Sequence, residues 1–252
     1  MIYGMYLSAT GLITASHQQD VIANNLANAE TGGFKRQLEI QTQRQVESKV
    51  AQSLGQGNSL LDNIGGGQLT GPTYTDFTAG DLEDTANNFD TAITGQGFFA
   101  VKDGDQTRLT RNGSLMIDKQ GHLITTAGQQ VLDSKRQPIT LSGFAQSQLR
   151  IETDGSIKSG RDTIAQIGLF QPDNPQSLHA VGRNMYGFGT DTKLNPADAR
   201  LQHNMLEKAN VDPTTELTRL MESQRLLEAN ANMIRYQDQS LSRAVNDVGK
   251  IS

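Results

Sequence analysis

The 252-residue sequence has no cysteine and no tryptophan. Without cysteine there can be no disulfide, thiolate zinc site, iron–sulfur cluster or cysteine nucleophile. Aromatic residues make up only 5% of the chain. The four histidines, His17, His122, His179 and His203, lie far apart, and none makes the helix-spaced pair that would suggest a metal site. Charge of one sign is lacking too: 22 Lys and Arg against 27 Asp and Glu leave a net charge of −5. Such a chain has no excess of basic residues to neutralise phosphates, so nucleic acid is not expected as a partner. Long apolar runs are also missing. The stretch Met1–Ser16 is interrupted by Gly4, Ser8, Thr10, Gly11 and Thr14, and it falls short of the ~20 apolar residues a membrane span needs. No membrane insertion is expected. Nor does this stretch read as a cleaved secretory signal, because the first cation of the chain is Lys35.

What is present is a hydrophobic fraction of 35%, sufficient with the glycines for a globular core, and a pattern in three parts. Residues 1–34 read as one helix. Met5, Leu12, Gln19 and Leu26 recur every seven residues, with Ser8, Ala15 and Ile22 interleaved. That spacing keeps a narrow stripe on one side of a helix, and Gly32-Gly33 supplies a stop. The last forty residues carry a stronger signal: Leu220, Leu227, Ile234, Leu241 and Val248 at unbroken spacing of seven, with Leu217, Gln224, Ala231, Asp238 and Val245 as the flanking series. Asp212-Pro213 provides a capping side chain and a proline at the first helical position, and Gly249 marks the end. About 36 residues at ~1.5 Å rise give a helix of roughly 54 Å, long for a globular domain and ordinary for a coiled-coil strand.

Between the helices the texture changes. Residues 41–80 are rich in Gln, Ser, Gly and Thr and read as extended or loop-like. From about 85 to 200, short β-type runs such as Ala92–Thr94, Phe98–Val101, His122–Thr125 and Ile164–Leu169 alternate with turn signals such as Asp103-Gly104-Asp105, Gln120-Gly121 and Asp154-Gly155. The expected fold is therefore α+β: long N- and C-terminal helices pairing as a coiled coil, with an inserted, mainly antiparallel β-domain. The expected division is 1–34 helix, 35–84 connecting segment, 85–203 β-rich domain and 204–252 helix.

Candidate chemistry is thin, and no catalytic, cofactor-binding or metal residue is assigned. Gly95-Gln96-Gly97-Phe98-Phe99-Ala100 spells a dinucleotide fingerprint, but a turn follows where a helix must hold the pyrophosphate. Asp81, Glu83, Asp84 and Asp90 form a loose acidic group that could be imagined as a glycosidase pair and reads better as solvated loop charge. Asp103-Gly104-Asp105 and Asp154-Gly155 lack the terminal Glu of a calcium loop. Asn112-Gly113 reads as a type I′ turn. Amides are the more informative feature. Asn24, Asn25 and Asn28 lie near the helix seam, with Gln19, Gln224 and Asp238 on it, where polar side chains specify register at a cost in stability.

These residues carry a resemblance. Ala23–Asn28 followed by Thr31-Gly32-Gly33-Phe34-Lys35-Arg36, then Asp90–Phe99 with Thr110-Arg111-Asn112-Gly113, then Leu206-Glu207-Lys208-Ala209-Asn210-Val211 with Glu216-Leu217, Met221, Gln224-Arg225 and Glu228-Ala229-Asn230 resemble, in that order, the signatures of bacterial flagellar rod and hook proteins. The length is similar to that of the proximal-rod and distal-rod subfamilies, between which Asp212-Pro213 leaves the choice open. The resemblance implies a non-enzymatic axial subunit without cofactors. Such a subunit is exported by the flagellar type III apparatus without a cleaved signal peptide. It polymerises as a homo-oligomeric helical rod across the periplasm, in the basal body, next to other rod and hook proteins. Subunit packing would then use Leu12, Ile22, Asn24, Asn25, Leu26, Asn28, Gly33 and Phe34 at the N-terminal end, and Leu217, Leu220, Gln224, Leu227, Ile234, Leu241 and Val248 at the C-terminal end. Two alternatives of other classes are a peptidoglycan-cleaving enzyme of the rod region and an extracellular coiled-coil binding module.

Overall fold

The computed structural model describes residues 2–43, 66–144 and 146–248. The chain is α+β, with a helix at each end and antiparallel sheets between. It folds as two compact units, and both are discontinuous. One comprises residues 1–27, 37–74 and 212–252; the other comprises 28–36 and 75–211.

In the first unit, helix α1 spans Ile2–Ala27 and helix α2 spans Pro213–Val248. The start of α2 is where Asp212-Pro213 puts it: Thr214 N donates to Asp212 Oδ1 at 3.0 Å, and Glu216 N donates to Asp212 O at 3.0 Å. Gly249, the expected stop, lies outside the described residues. α1 is shorter than the helix expected over 1–34. It ends at Ala27, and residues 28–33 form turns, because the backbone of that stretch finds its partners in the other unit. Strands Gln37–Gln43 and Gln68–Thr75 make a two-stranded sheet, so the ends of the loop-like segment are extended and paired. The rest of that segment, 44–65, lies outside the described residues.

The β unit is built around strand Phe98–Asp103. Phe98, Phe99, Ala100 and Val101 are all buried, as a run apolar on both faces requires. Phe98 and Ala100 join Leu109, Leu132, Phe170 and Tyr186 on one side, while Phe99 and Val101 join Leu115, Leu123, Ile157 and Leu201 on the other. Its sheet runs His179–Gly182, Met185–Gly187, Gln106–Thr110, Phe98–Asp103, Gln130–Val131, Leu123–Thr125, Leu115–Ile117, with antiparallel pairings throughout. Strands Leu149–Ile151, Ser156–Ser159 and Asp162–Gln166 form a separate meander. Two pairings close the unit late in sequence: Arg200–His203 on Thr91–Thr94, and Met205–Glu207 on Leu82–Asp84.

One expected turn holds and one differs in mechanism. Gly104, with φ +62°, sits in the tight turn between Asp103 and Gln106. Asn112-Gly113 is not a type I′ turn. Gly113 is absent from the positive-φ glycines, and a Cβ there would lie 1.6 Å from Thr91 O. The glycine is needed for close backbone approach, not for a left-handed conformation.

Candidate functional site

Two sites emerge, one in each unit. The first is the face on which α1 meets α2. The chain directions are opposed: Gly4 lies opposite Gln237, Gly11 opposite Asn230, Ala15 opposite Ser223 and Asn25 opposite Glu216. A Cβ on Gly4 would fall 2.7 Å from Gln237 Nε2, and one on Gly11 would fall 3.1 Å from the Asn230 amide. Ser223 Oγ donates to Ala15 O at 3.0 Å, and Asn25 Nδ2 donates to Glu216 Oε2 at 3.4 Å. Small residues on α1 admit polar side chains from α2, so close packing and hydrogen bonds contribute to this seam.

Asn25 is the most constrained of these side chains, at 1% exposure. Besides Glu216, its amide donates to Gln37 O at 2.8 Å and accepts from Gln37 N at 2.9 Å. It thus acts as a strand partner for the first residue of the two-stranded sheet. A second face of α1 lies under that sheet. His17 Nδ1 is 3.2 Å from Glu39 Oε1, a Cβ on Gly67 would meet Thr10 Oγ1 at 2.9 Å, and Thr14 and Val21 are buried at the matching spacing.

The expected packing residues divide by position. Ile22 and Asn25 are buried. Leu12, Leu26, Leu220, Leu227, Ile234 and Leu241 are half-buried, and Asn24, Leu217 and Gln224 are exposed. The Val248 side chain lies outside the described residues. Glu216, Ser223, Asn230 and Gln237 approach α1, one position before the flanking series Leu217, Gln224, Ala231, Asp238. Gln224 instead donates to Glu228 Oε1 at 3.4 Å along its own helix. The pattern of hydrophobicity favours the more apolar flank, whereas close approach to the small residues of α1 selects the polar one. Large apolar side chains are also exposed at several points around α2: Leu217, Met221, Leu226, Met233, Tyr236 and Val245, the last to 70%.

The second site lies inside the β unit, where segment 28–36 is held. Gly33, at φ +68°, is left-handed, and its N–H donates to Glu207 O at 2.6 Å. Phe34 is buried, and Asn28 begins the turn, accepting from Thr31 N. Asn184 Nδ2 donates to Gly32 O at 2.7 Å, and Arg36 N donates to Asn210 Oδ1 at 2.7 Å. Asn210 also donates to Asp76 O at 2.9 Å, cross-linking three chain segments. Lys35 is fully buried, its Nζ donating to Glu207 Oε1 at 2.6 Å and to Thr78 O at 2.5 Å. Arg111 donates to Glu207 Oε2 at 3.3 Å and Gly95 O at 2.9 Å, with its guanidinium 5.3 Å from the centre of the Phe98 ring. Gly80 N adds a 3.0 Å bond to Glu207 Oε1. Burial pulls the pKa of Lys35 and of Arg111 down, and the shared carboxylate opposes this in both. Burial likewise pushes the Tyr186 phenol up. Gly33 and Phe34, expected as packing residues at the helix exit, are buried here within the β unit. Lys35, Arg111 and Glu207 belong to three separate motif blocks, each of which holds further charged residues, so no local signal joined them.

The remaining candidate chemistry resolves into structure. Gly95 and Gly97 lead into strand Phe98–Asp103, not a helix. The Asp90 carboxylate accepts from Asn87 Nδ2 at 2.9 Å and Ser114 Oγ at 3.4 Å, and Glu83 pairs with Lys208 at the surface at 3.4 Å. Asp154 caps its own turn, and the Ser156 hydroxyl and N–H hold its pKa down. Among the described residues no helix is long and apolar enough to cross a membrane.

A helix pair formed by the two ends of the chain, and a separate β unit with its own core, define the class of this chain. Comparison with known proteins supplies the family. The model "Flagella basal body rod protein" matches residues 5–35, "Flagellar hook protein FlgE/F/G D1 domain" matches 92–159, and "Flagellar basal body rod FlgEFG protein C-terminal" matches 202–247. The flagellar basal-body rod protein FlgF of Caulobacter vibrioides is 32% identical over 250 residues, 98% of each chain. The rod protein FlgG of Bacillus subtilis is 30% identical over 267 residues, 98% of this chain and 99% of that one. FlgF of Mesorhizobium japonicum is 28% identical over 98% of each. The chain belongs to the flagellar basal-body rod protein family.

Proposed function

We propose that this protein is a structural subunit of the flagellar basal-body rod and serves motility by assembly rather than catalysis. The observation that carries the reading is end-to-end similarity to proteins named as rod proteins, joined to helices whose outward faces keep large apolar side chains in water. Large exposed apolar side chains gathered on one helix mark a contact surface.

In this reading α1 and α2 pair as an antiparallel coiled coil and form the inner wall of a tube, with the β unit outside. Leu12, Ile22, Leu26, Leu220, Leu227, Ile234, Leu241 and Val248 serve the pairing and its neighbours. Leu217 and Gln224, on the outward flank, serve contacts with the next subunit, and Asn24, Asn28, Gly33 and Phe34 set where the chain leaves α1. The interface is heterologous and does not close, so repetition generates a helix instead of a ring. Partners are further copies, other rod and hook proteins, and the flagellar type III export apparatus. The subunit reaches the periplasm through that apparatus.

The test is a deletion strain complemented with the wild-type chain and examined by motility assay and electron microscopy of isolated basal bodies. Restored motility with the chain located in the rod supports the reading. A chain recovered outside the basal body, with rods intact in its absence, contradicts it.

A further inference from the structure

The β unit buries more positive than negative charge at one point. Lys35, Arg111 and Glu207 are each at most 4% exposed, and two cations share one carboxylate. Asp76 adds only a longer-range attraction to Lys35. Removing one partner of a buried ion pair is far costlier than removing both, because it leaves an uncompensated charge. Here the asymmetry is sharper, since loss of the carboxylate would leave two cations facing each other.

The three groups come from different parts of the chain. Lys35 belongs to segment 28–36, Arg111 follows strand Gln106–Thr110, and Glu207 ends strand Met205–Glu207. Phe34 is the one buried apolar side chain of segment 28–36, and hydrogen bonds supply its other anchors, among them Asn184 Nδ2 to Gly32 O and Asp76 N to Arg36 O. Two of its backbone bonds go to the same late stretch, Gly33 N to Glu207 O and Arg36 N to Asn210 Oδ1.

We infer that Glu207 is the latch of the β unit: segment 28–36 docks only when strand Met205–Glu207 is in place, because only Glu207 lets Lys35 and Arg111 be buried together. The central sheet carries its own core and does not need the latch. A chain delivered N-terminus first would keep residues 28–36 undocked until residue 207 had arrived. That use rests on the proposed export route; the latch itself does not.

The test is hydrogen–deuterium exchange on the full-length monomer for wild type, Glu207→Gln, Lys35→Met and the double variant. In Glu207→Gln the amides of Gly33 and Arg36 should exchange at least tenfold faster, while strands Phe98–Asp103 and Leu123–Thr125 keep wild-type protection. Lys35→Met should stay docked, since Arg111 and Glu207 remain a pair. The double variant should recover much of the lost protection, because one unpaired cation remains in place of two. If Glu207→Gln does not fold, the double variant should fold where the single one fails. Unchanged exchange over 28–36 in Glu207→Gln, or a double variant no better than Glu207→Gln, overturns the inference.

Discussion

Gly33→Ala isolates the geometry with which the chain enters the β unit. Gly33 has φ +68°, and an added Cβ would sit 2.4 Å from Arg111 C, 2.5 Å from Arg111 O and 2.6 Å from Asn112 N. The left-handed conformation costs an L-residue about 1–2 kcal/mol. The clash is with backbone, which cannot swing aside as a side-chain tip would, and overpacking of this kind adds about 1–3 kcal/mol. Gly104 provides the matched control. It is also left-handed, at φ +62°, but nothing lies within 4 Å of its Cβ position, so Gly104→Ala carries only the conformational cost. For a unit of this size each kcal/mol corresponds to about 2–4 °C in Tm. Gly33→Ala should therefore lower the β-unit Tm by about 5–15 °C by calorimetry, and Gly104→Ala by a few degrees at most. Equal losses in the two variants would refute the steric argument and leave only backbone preference.

Ile234→Asp puts a charge on the half-buried stripe of α2; in an assembled tube the unpaired carboxylate costs several kcal/mol per subunit. Cells should be non-motile with truncated rods while the β unit still melts cooperatively, and exposed Arg235→Ala should be mild. Asn25→Ala leaves Gln37 N and O without their side-chain partner, at about 1–3 kcal/mol for each buried group left unpaired. Amide exchange at Gln37 should rise while exchange at Leu109 does not. Asp212 caps α2, and its hydrogen bonds from the Thr215 hydroxyl and Thr214 N hold its pKa below the ordinary carboxylate value. The cap's contribution is therefore present above the unfolded-state pKa of about 3.9 and is lost as pH falls through the lower folded value. Asp212→Asn should make helicity at the start of α2 less dependent on pH in an acid titration followed by circular dichroism.

The parts of the fold legible in sequence were those with an unambiguous local cause. Asp212-Pro213 starts α2 where capping chemistry requires, and the doubly apolar run Phe98–Val101 is the central strand of the β unit. The Leu220, Leu227, Ile234, Leu241 stripe lies within α2 and is half-buried. What escaped had a non-local cause. The end of α1 at Ala27 depends on partners at Asn184, Glu207 and Asn210, more than 150 positions away. The polar seam escaped because hydrophobicity ranks Leu217 and Val245 above Glu216 and Ser223, while close approach to Gly4, Gly11 and Ala15 reverses that ranking. Asn25 was recognisable as an amide out of place on a helix, but its role as a partner for Gln37 needed the third dimension. Lys35, Arg111 and Glu207 read as ordinary surface charges when each is taken alone.

The central claim is that the terminal helices build the rod and the β unit decorates it. Cryo-electron microscopy of basal bodies isolated from cells carrying this chain tests that claim most directly. The expected map shows α1 and α2 side by side in the inner wall of the rod, with the Leu226, Met233 and Tyr236 face of α2 covered by an adjacent subunit and the β unit at larger radius. A map with the β unit lining the lumen, or with that face of α2 open to solvent in the assembled rod, would contradict it.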